Sequence, residues 1–321
     1  TAPLKTQIAI WVLRALVRTE LVGRVSDLIE NSDVKKALSV LNRPLEAEIE
    51  AQRERATGTR GKAGTRATAE RRRLEALLGD WLEGLEASPP GRDDVLFRNV
   101  ELFGDILGLA PVEKAIVAFL VAAQLDQGLL DCFAEVHDRG RTLTRSLSAV
   151  LGHRERAVRG AISRQGTLLK TGLVKRDFSP RFQTEGPLAL YDDLHQSLLD
   201  EDADERSLFE LFFGPAGPSR LTLADFAHLG SHEAIIASCL EGAMATGVSG
   251  ANVLLHGPPG TGKTELARAL AKALKIPLVE VSVENREGDW LDGDQRMGAY
   301  LVAQRVLDGR RKSLVLFDEV E

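Results

Sequence analysis

The sequence predicts a mainly α-helical N-terminal region followed by an α/β unit with a parallel sheet. Leu and Ala dominate the apolar residues and aromatic residues make up only 5% of the chain, so we expect more helix than strand. Toward the C-terminus, a glycine-rich loop at 257–264 separates a short apolar run from a segment of helical composition. A second apolar run, at 314–317, ends in acidic residues. Buried apolar strands that alternate with helices are typical of parallel sheets.

The composition limits the class of protein. A length of 321 residues suggests two or three domains, and the net charge of −6 gives the chain as a whole no preference for nucleic acid. The two cysteines, Cys132 and Cys239, are too far apart for a cysteine metal motif and favour a reduced, cytoplasmic compartment. The apolar stretch 8–17 is interrupted by Arg14 and is too short to cross a bilayer, so we expect a core helix and no membrane association.

Residues 1–110 are predicted to form a helical N-terminal region. Two helices are expected within 4–50, because apolar residues recur there at helical spacing. A flexible linker at about 54–68 follows, rich in Arg, Gly and Thr and without apolar periodicity. A third helix is expected at about 68–86, where a Pro-Pro-Gly turn ends it.

Residues 111–192 are predicted to contain several helices and a β-hairpin. Pro111 suits the first turn of a helix, and Gly152 separates a short helix from another at 153–165. Apolar runs at 173–174 and 188–191 are candidates for two paired strands. Three helices followed by a hairpin resemble a winged-helix domain, and the resemblance is one of topology.

The helix at 153–165 is strongly basic. Its arginines are opposed only by Glu155, and they are Arg154, Arg156, Arg159 and Arg164. A strip of this kind fits phosphate contacts in or beside a DNA major groove. It fits equally a domain that contacts protein while its arginines are solvated or paired with acidic residues. Both interpretations stay open, and the segment that follows, 193–220, is predicted to be an acidic and Gly/Pro-rich linker.

The loop at 257–264 reads Gly-Pro-Pro-Gly-Thr-Gly-Lys-Thr and matches the phosphate-binding pattern G-x-x-x-x-G-K-[ST] at every fixed position. A strand is predicted before it, at 252–256, and a helix is predicted to begin near Lys263. Glycines let backbone N–H groups approach phosphate oxygens, and the helix directs its positive end toward them. Lys263 is expected to contact the β- and γ-phosphates, and Thr264 to bind Mg²⁺.

A second motif follows the apolar run at 314–317. Asp318 and Glu319 lie where this predicted strand would end, and ligands of open α/β sheets bind at the carboxyl ends of strands. An Asp at that position can hold Mg²⁺, directly or through water. A neighbouring Glu can orient or deprotonate an attacking water.

The two motifs together resemble those of AAA+ ATPases. Gly-Pro-Pro-Gly-Thr-Gly-Lys-Thr-Glu-Leu-Ala is the form of the Walker A loop favoured in that family, and Asp318-Glu319 is similar to its Walker B motif. The resemblance covers 221–321 and implies a partial ATPase core that binds ATP and Mg²⁺. It implies that Lys263 acts on phosphate, that Thr264 and Asp318 hold Mg²⁺, and that Glu319 is the catalytic base. The nucleotide-binding residues that it implies are Gly257, Pro258, Pro259, Gly260, Thr261, Gly262, Lys263, Thr264 and Glu265.

The resemblance also implies a homo-oligomeric ring, such as a hexamer, with ATP between neighbouring subunits. In the family, a sensor-1 residue, an arginine finger and a helical lid follow the second motif, whereas this sequence ends at Glu321. We therefore expect the chain to be truncated after Walker B and these groups to lie beyond its end. An arginine finger raises the rate by orders of magnitude, so we expect poor hydrolysis by this chain alone.

Three functions are compatible with these features. The first is an ATPase subunit that couples ATP hydrolysis to remodelling of a protein or nucleic-acid partner, which the N-terminal regions would select. The alternative is a winged-helix DNA-binding regulator in which the nucleotide domain is a switch. The third is an adaptor that docks a partner through residues 1–110. The sequence leaves the substrate, the pathway and the ring size open.

Overall fold

The computed structural model divides the chain into two compact units, residues 1–203 and 204–321. We refer to them as unit 1 and unit 2 and describe each by itself. The residues that the structure describes are 2–19, 32–41, 63–89, 91, 93–138, 142–176, 188–248, 250–308 and 312–318.

Unit 1 is helical in its described part apart from one short hairpin. Its helices are α1 (Ala2–Arg18), α2 (Ser32–Leu38), α3 (Ala63–Ala87), α4 (Val95–Leu107), α5 (Pro111–Leu125), α6 (Gln127–Asp138), α7 (Leu143–Leu151), α8 (Glu155–Ala161), α9 (Thr167–Lys170) and α10 (Leu194–Leu199). The hairpin strands, β1 (Val174–Arg176) and β2 (Leu188–Leu190), are antiparallel, and Val174 pairs with Leu190.

Local signals explain where these helices begin and end. Asp94 caps α4 by accepting a hydrogen bond from the Leu96 amide at 2.9 Å, and Gly108 ends the helix in a left-handed conformation. Pro111 occupies the first turn of α5, where its missing N–H costs nothing. The core of unit 1 includes a cluster of three aromatic rings. The Phe119 ring meets the rings of Trp11 and Phe133 edge-on, with centroid distances of 5.5 Å and 5.0 Å.

The helix expected at 153–165 is shorter than predicted, and a turn at 162–166 separates α8 from α9. The Ser163 hydroxyl donates to the Gly160 carbonyl at 2.8 Å and accepts from the Gly166 amide at 3.1 Å. A Cβ on Gly166 would lie 2.4 Å from the Ala161 carbonyl oxygen, so only glycine fits. A local hydroxyl that competes with the helical ladder therefore ends α8 early.

Unit 2 contains a three-stranded mixed sheet. Its elements are α11 (Glu205–Phe209), β3 (Phe213–Pro215), a 3₁₀ turn (Leu223–Leu229), α12 (His232–Thr246), α13 (Lys263–Leu274), β4 (Leu278–Val281), α14 (Gly293–Leu307) and β5 (Leu314–Leu316). The strand order is β3-β4-β5. Strand β4 is antiparallel to β3 and parallel to β5, with Leu278 opposite Leu314.

The strand predicted at 252–256 is not found as a strand. The segment is described, yet it pairs with none of β3, β4 and β5, and Leu254 is 80% exposed. Leu255 instead packs on a small cluster formed by Phe226, Leu266 and other residues of α13. Side-chain packing rather than a hydrogen-bonded ladder therefore holds this segment, and β4–β5 is the parallel pair in the described part of unit 2.

Two predicted linkers contain regular structure. Helix α3 begins at Ala63, so residues 63–68 of the linker expected at about 54–68 are helical, while 54–62 lie outside the described residues. Residues 213–215, assigned to the linker 193–220, form strand β3. Pro215 is tolerated there because β3 is an edge strand and Pro ends it. The other predicted domain boundaries, including the division at 110, stay predictions.

No single helix in the described ranges is both long and apolar enough to cross a membrane. Helices α5 and α6 reach that length and composition only as a pair, with a 116° bend between them. Both bury apolar side chains inside unit 1, as a pair of core helices does.

Candidate functional site

The glycine-rich loop runs directly into α13, as the sequence predicts. Gly262 is the N-cap residue, and its carbonyl accepts from the Leu266 amide at 2.8 Å. Gly260 and Gly262 have φ angles of 79° and 84°, which L side chains rarely adopt. These glycines are therefore required by the backbone as well as by any close approach of phosphate. The N-terminus of α13 is a suitable site for an anion.

Lys263 is held by the loop that precedes it. Its ammonium group donates to the carbonyls of Gly257 at 2.8 Å and Pro258 at 3.0 Å. The Thr261 hydroxyl donates to the same Pro258 carbonyl at 2.8 Å. These bonds fix the loop and keep a positive charge at it. A contact of Lys263 with phosphate stays a prediction.

Thr264 and Asp318 bring the two sequence motifs together. The Thr264 hydroxyl donates to the Asp318 carboxylate at 2.5 Å, across 54 positions of sequence. Asp318 follows β5, and Thr264 lies in the first turn of α13. A hydroxyl and a carboxylate side by side are the hard oxygen donors that Mg²⁺ prefers, so these two residues fit the ion.

Glu265 belongs to a small ion-pair network on α13. Its carboxylate accepts from Arg268 at 2.9 Å and from the Ser219 hydroxyl at 3.2 Å. The hydrogen bond from Arg268, followed by that from Ser219, lowers the pKa of Glu265, and burial opposes this shift. Arg268 also donates to Glu280 at 3.1 Å, which ties α13 to β4. A direct contact of Glu265 with nucleotide stays a prediction.

Arg296 lies outside both sequence motifs and was not among the predicted site residues. The structure buries this residue to 8% exposure, and its guanidinium donates to the backbone carbonyl of Asp318. One signal could have found it. Arg296 shares a helical face with Ala299, Ala303 and Val306, which form the buried stripe of α14.

The remaining predicted residues fall in two places. Glu319, the expected catalytic base, lies outside the described residues. The four arginines predicted to contact DNA are all exposed in unit 1, on α8, at its N-cap and in the turn after it. Arg159 pairs with Glu155 at 2.6 Å, and Arg145 lies 3.7 Å from the same carboxylate.

Residues 253–321 match the family model described as "ATPase family associated with various cellular activities (AAA)". The match contains Lys263, Thr264 and Asp318, which the geometry has already brought together. The comparisons support an AAA ATPase domain in this segment. No solved structure matches the chain.

Three relatives of the AAA segment show how local the similarity is. A pachytene checkpoint protein 2 homolog of Oryza sativa subsp. indica is 38% identical over 81 residues, covering 22% of this chain and 17% of the relative. A putative 26S proteasome regulatory subunit homolog of Methanothermobacter thermautotrophicus is 38% identical over 72 residues, 22% of this chain and 18% of the relative. A replication factor C large subunit of Pyrobaculum islandicum is 43% identical over 70 residues, covering 22% of this chain and 16% of the relative. The chain thus spans less than a fifth of the length of each.

Proposed function

We propose that this chain is an ATP-binding AAA+ ATPase subunit that couples ATP hydrolysis to remodelling of a protein or nucleic-acid partner. The observation that carries the proposal is the 2.5 Å contact between the Thr264 hydroxyl and the Asp318 carboxylate. It places two oxygen donors together beside the N-terminus of α13, where an anion is favoured. A family match over 253–321 supports the same assignment.

Each residue of the site has a defined task in this proposal. The loop at 257–264 would surround the phosphates of ATP, and Lys263 would place its charge on them. Thr264 and Asp318 would hold Mg²⁺, an ion that neutralises phosphate charge and orients the nucleotide when it is bound. Glu319, directly after Asp318 in sequence, would take the proton of the attacking water. Glu265 keeps its place beside the loop through Arg268.

The proposal extends to assembly and location. Two of the relatives are named as subunits of larger assemblies, a proteasome regulatory subunit homolog and a replication factor C large subunit. We propose that the full protein forms a homo-oligomeric ring, such as a hexamer, in the cytoplasm. Unit 1 then selects the partner, since it lies outside the segment that matches the ATPase family.

Nucleotide binding tests the central part of the proposal. Lys263→Ala should weaken binding of a fluorescent ATP analogue by about 10–100-fold, since it removes charge-assisted hydrogen bonds to phosphate. Lys272→Ala, an exposed lysine farther along α13, is the matched control and should bind like the wild type. Equal affinity in the wild type and in Lys263→Ala, or no binding by the wild type, would contradict the assignment.

A second candidate function is a winged-helix DNA-binding regulator with the AAA segment as a switch. The specific observation is the exposed basic surface around α7 and α8. Arg154, Arg156 and Arg164 form no ion pair within the described residues. A cavity of about 430 Å³ is lined by Arg154 together with Arg18 and Arg145. The order α7, α8, α9 and the β1–β2 hairpin is the order of a helix-turn-helix followed by a wing.

DNA binding measured over a range of salt tests this candidate. Arg156→Glu combined with Arg159→Glu should weaken binding to a short duplex and reduce the slope of log affinity against log salt by about 2, at roughly 0.9 per lost phosphate contact. Arg72→Glu combined with Arg73→Glu changes charge equally on the exposed face of α3 and should bind like the wild type. Identical salt slopes in all three proteins would favour a protein-binding role for α8.

A further inference from the structure

Arg296 is a buried cation in the first turn of α14. It is 8% exposed, although it carries a permanent charge. Burial of an arginine is costly unless its N–H groups and its charge are used. The contacts of Arg296 therefore indicate what the residue is for.

Two contacts of this guanidinium fall at the end of β5. The group donates to the backbone carbonyl of Asp318 and lies 4.6 Å from the ring centroid of Phe317. Tyr300, one turn later on α14, meets the same Phe317 ring edge-on at 5.7 Å. Two residues on one face of α14 thus hold the two residues that follow β5.

Asp318 is thereby held at both ends. Arg296 fixes its backbone, and the Thr264 hydroxyl contacts its carboxylate at 2.5 Å. The carboxylate can meet Thr264 only while the backbone behind it stays in place. We propose that Arg296 is a positioning residue for the Mg²⁺ site, and that it sets the distance between Asp318 and Thr264. This inference rests on the proposed function of the same site.

The planar guanidinium matters for this task as well as its charge. Arginine can stack on Phe317 and reach the Asp318 carbonyl at the same time because its donors form a flat, rigid group. A lysine keeps the charge but presents a single ammonium point. Arg296→Lys should therefore retain part of the effect, and Arg296→Met should lose it while keeping most of the side-chain length.

The test compares nucleotide affinity with Mg²⁺ and with EDTA, using a fluorescent ATP analogue and the full chain. In the wild type, Mg²⁺ should raise the affinity. In Arg296→Met this Mg²⁺-dependent gain should fall by about tenfold, the effect expected when a group that orients a metal ligand is removed. Affinity in EDTA should stay within about twofold of the wild type, because Arg296 contacts Asp318 and Phe317, whereas the phosphates are expected to bind at the loop 257–264. The Mg²⁺-dependent gain of Arg296→Lys should lie between those of the wild type and Arg296→Met.

Controls separate this inference from the proposed function and from simple loss of structure. Arg305→Met removes an exposed arginine from the same helix and should leave the Mg²⁺-dependent gain unchanged. If Arg296→Met does not fold, Arg296→Lys and Phe317→Leu carry the test, and both should reduce the gain. A lower melting temperature with an unchanged gain would overturn the positioning role. Absence of nucleotide binding in the wild type would instead overturn the proposed function.

Discussion

Helices α5 and α12 have the same length of 15 residues and are both rich in Ala and other apolar residues, yet their environments are opposite. Helix α5 buries ten residues, among them Ile116 and Phe119. Helix α12 buries none, and its Ile235 is 61% exposed. Composition alone therefore predicts that each segment is helical but not what it packs against.

The difference arises from the elements around each helix. Helix α5 contacts α4, α6, α7, α8 and β2, so almost every face of it meets another apolar surface. Helix α12 packs mainly against α13 and the 3₁₀ turn at Leu223–Leu229. Helix α5 thus lies inside the core of unit 1, whereas α12 lies at the surface of unit 2. Three matched pairs of residues make this comparison measurable, each with one residue on α5 or on the neighbouring core helix α6 and the other on α12.

The largest difference is expected for the same substitution at Ile116 and Ile235. Ile116→Ala leaves a cavity in the core of unit 1 and should lower the free energy of unfolding by about 2–5 kcal/mol. Ile235→Ala should change it by less than about 0.5 kcal/mol, because little apolar surface is lost from the interior. Urea denaturation of the two variants checks this. Equal losses would mean that α12 is covered in solution.

Replacement of a glycine by alanine should have smaller effects on stability, and these effects should have opposite signs in α6 and α12. A Cβ on Gly128 in α6 would lie 2.4 Å from the backbone oxygen of Asp33, so Gly128→Ala should force α2 and α6 apart and destabilise by about 1–3 kcal/mol. At Gly242 in α12 no described atom lies within 4 Å, so Gly242→Ala should stabilise by about 0.5–1 kcal/mol. Shifts in melting temperature show both signs. A destabilised Gly242→Ala would contradict the open environment of α12.

The two cysteines allow the same comparison of buried and exposed positions without any substitution, through the reactivity of their thiols. Burial is the main cause that raises the pKa of Cys132, to about 12, so this thiol stays protonated and unreactive at pH 8. Cys239 lies exposed on α12. A thiol reagent should modify Cys239 quickly, and it should modify Cys132 only after denaturant is added. Two fast equivalents at pH 8 would show that α6 opens readily.

The site was predictable from the sequence to a large degree because its chemistry lies in contiguous motifs. The loop at 257–264 and the start of α13 at Lys263 follow from residue types and spacing. The contact of Thr264 with Asp318 agrees with the expectation that both hold Mg²⁺, and that expectation stays a prediction. The family match over 253–321 supports the coarser prediction of an AAA ATPase domain in this segment. Arg296 was missed because it lies in neither motif, although its position on α14 lies in the buried stripe.

The fold was less predictable where pairing depends on distant partners. An apolar run such as 252–256 indicates a strand, but no pattern within it states whether a neighbouring strand is available. Conversely, Gly214 and Pro215 indicate a linker, yet both pair with residues of β4 in the sheet. Ser163 and Gly166 end α8 through local hydrogen bonds that apolar periodicity does not reveal.

Strand β3 also determines where unit 2 can be cut. Its pairing with β4 continues beyond the strand, since the Ala216 amide donates to the Leu278 carbonyl at 3.0 Å. A fragment that began at residue 221 would expose the backbone donors and acceptors along that edge of β4, and such an edge invites aggregation. A fragment that began at Asp204 would keep the edge covered. The sheet, rather than the Gly/Pro composition of 214–218, therefore gives the practical boundary for producing unit 2 by itself.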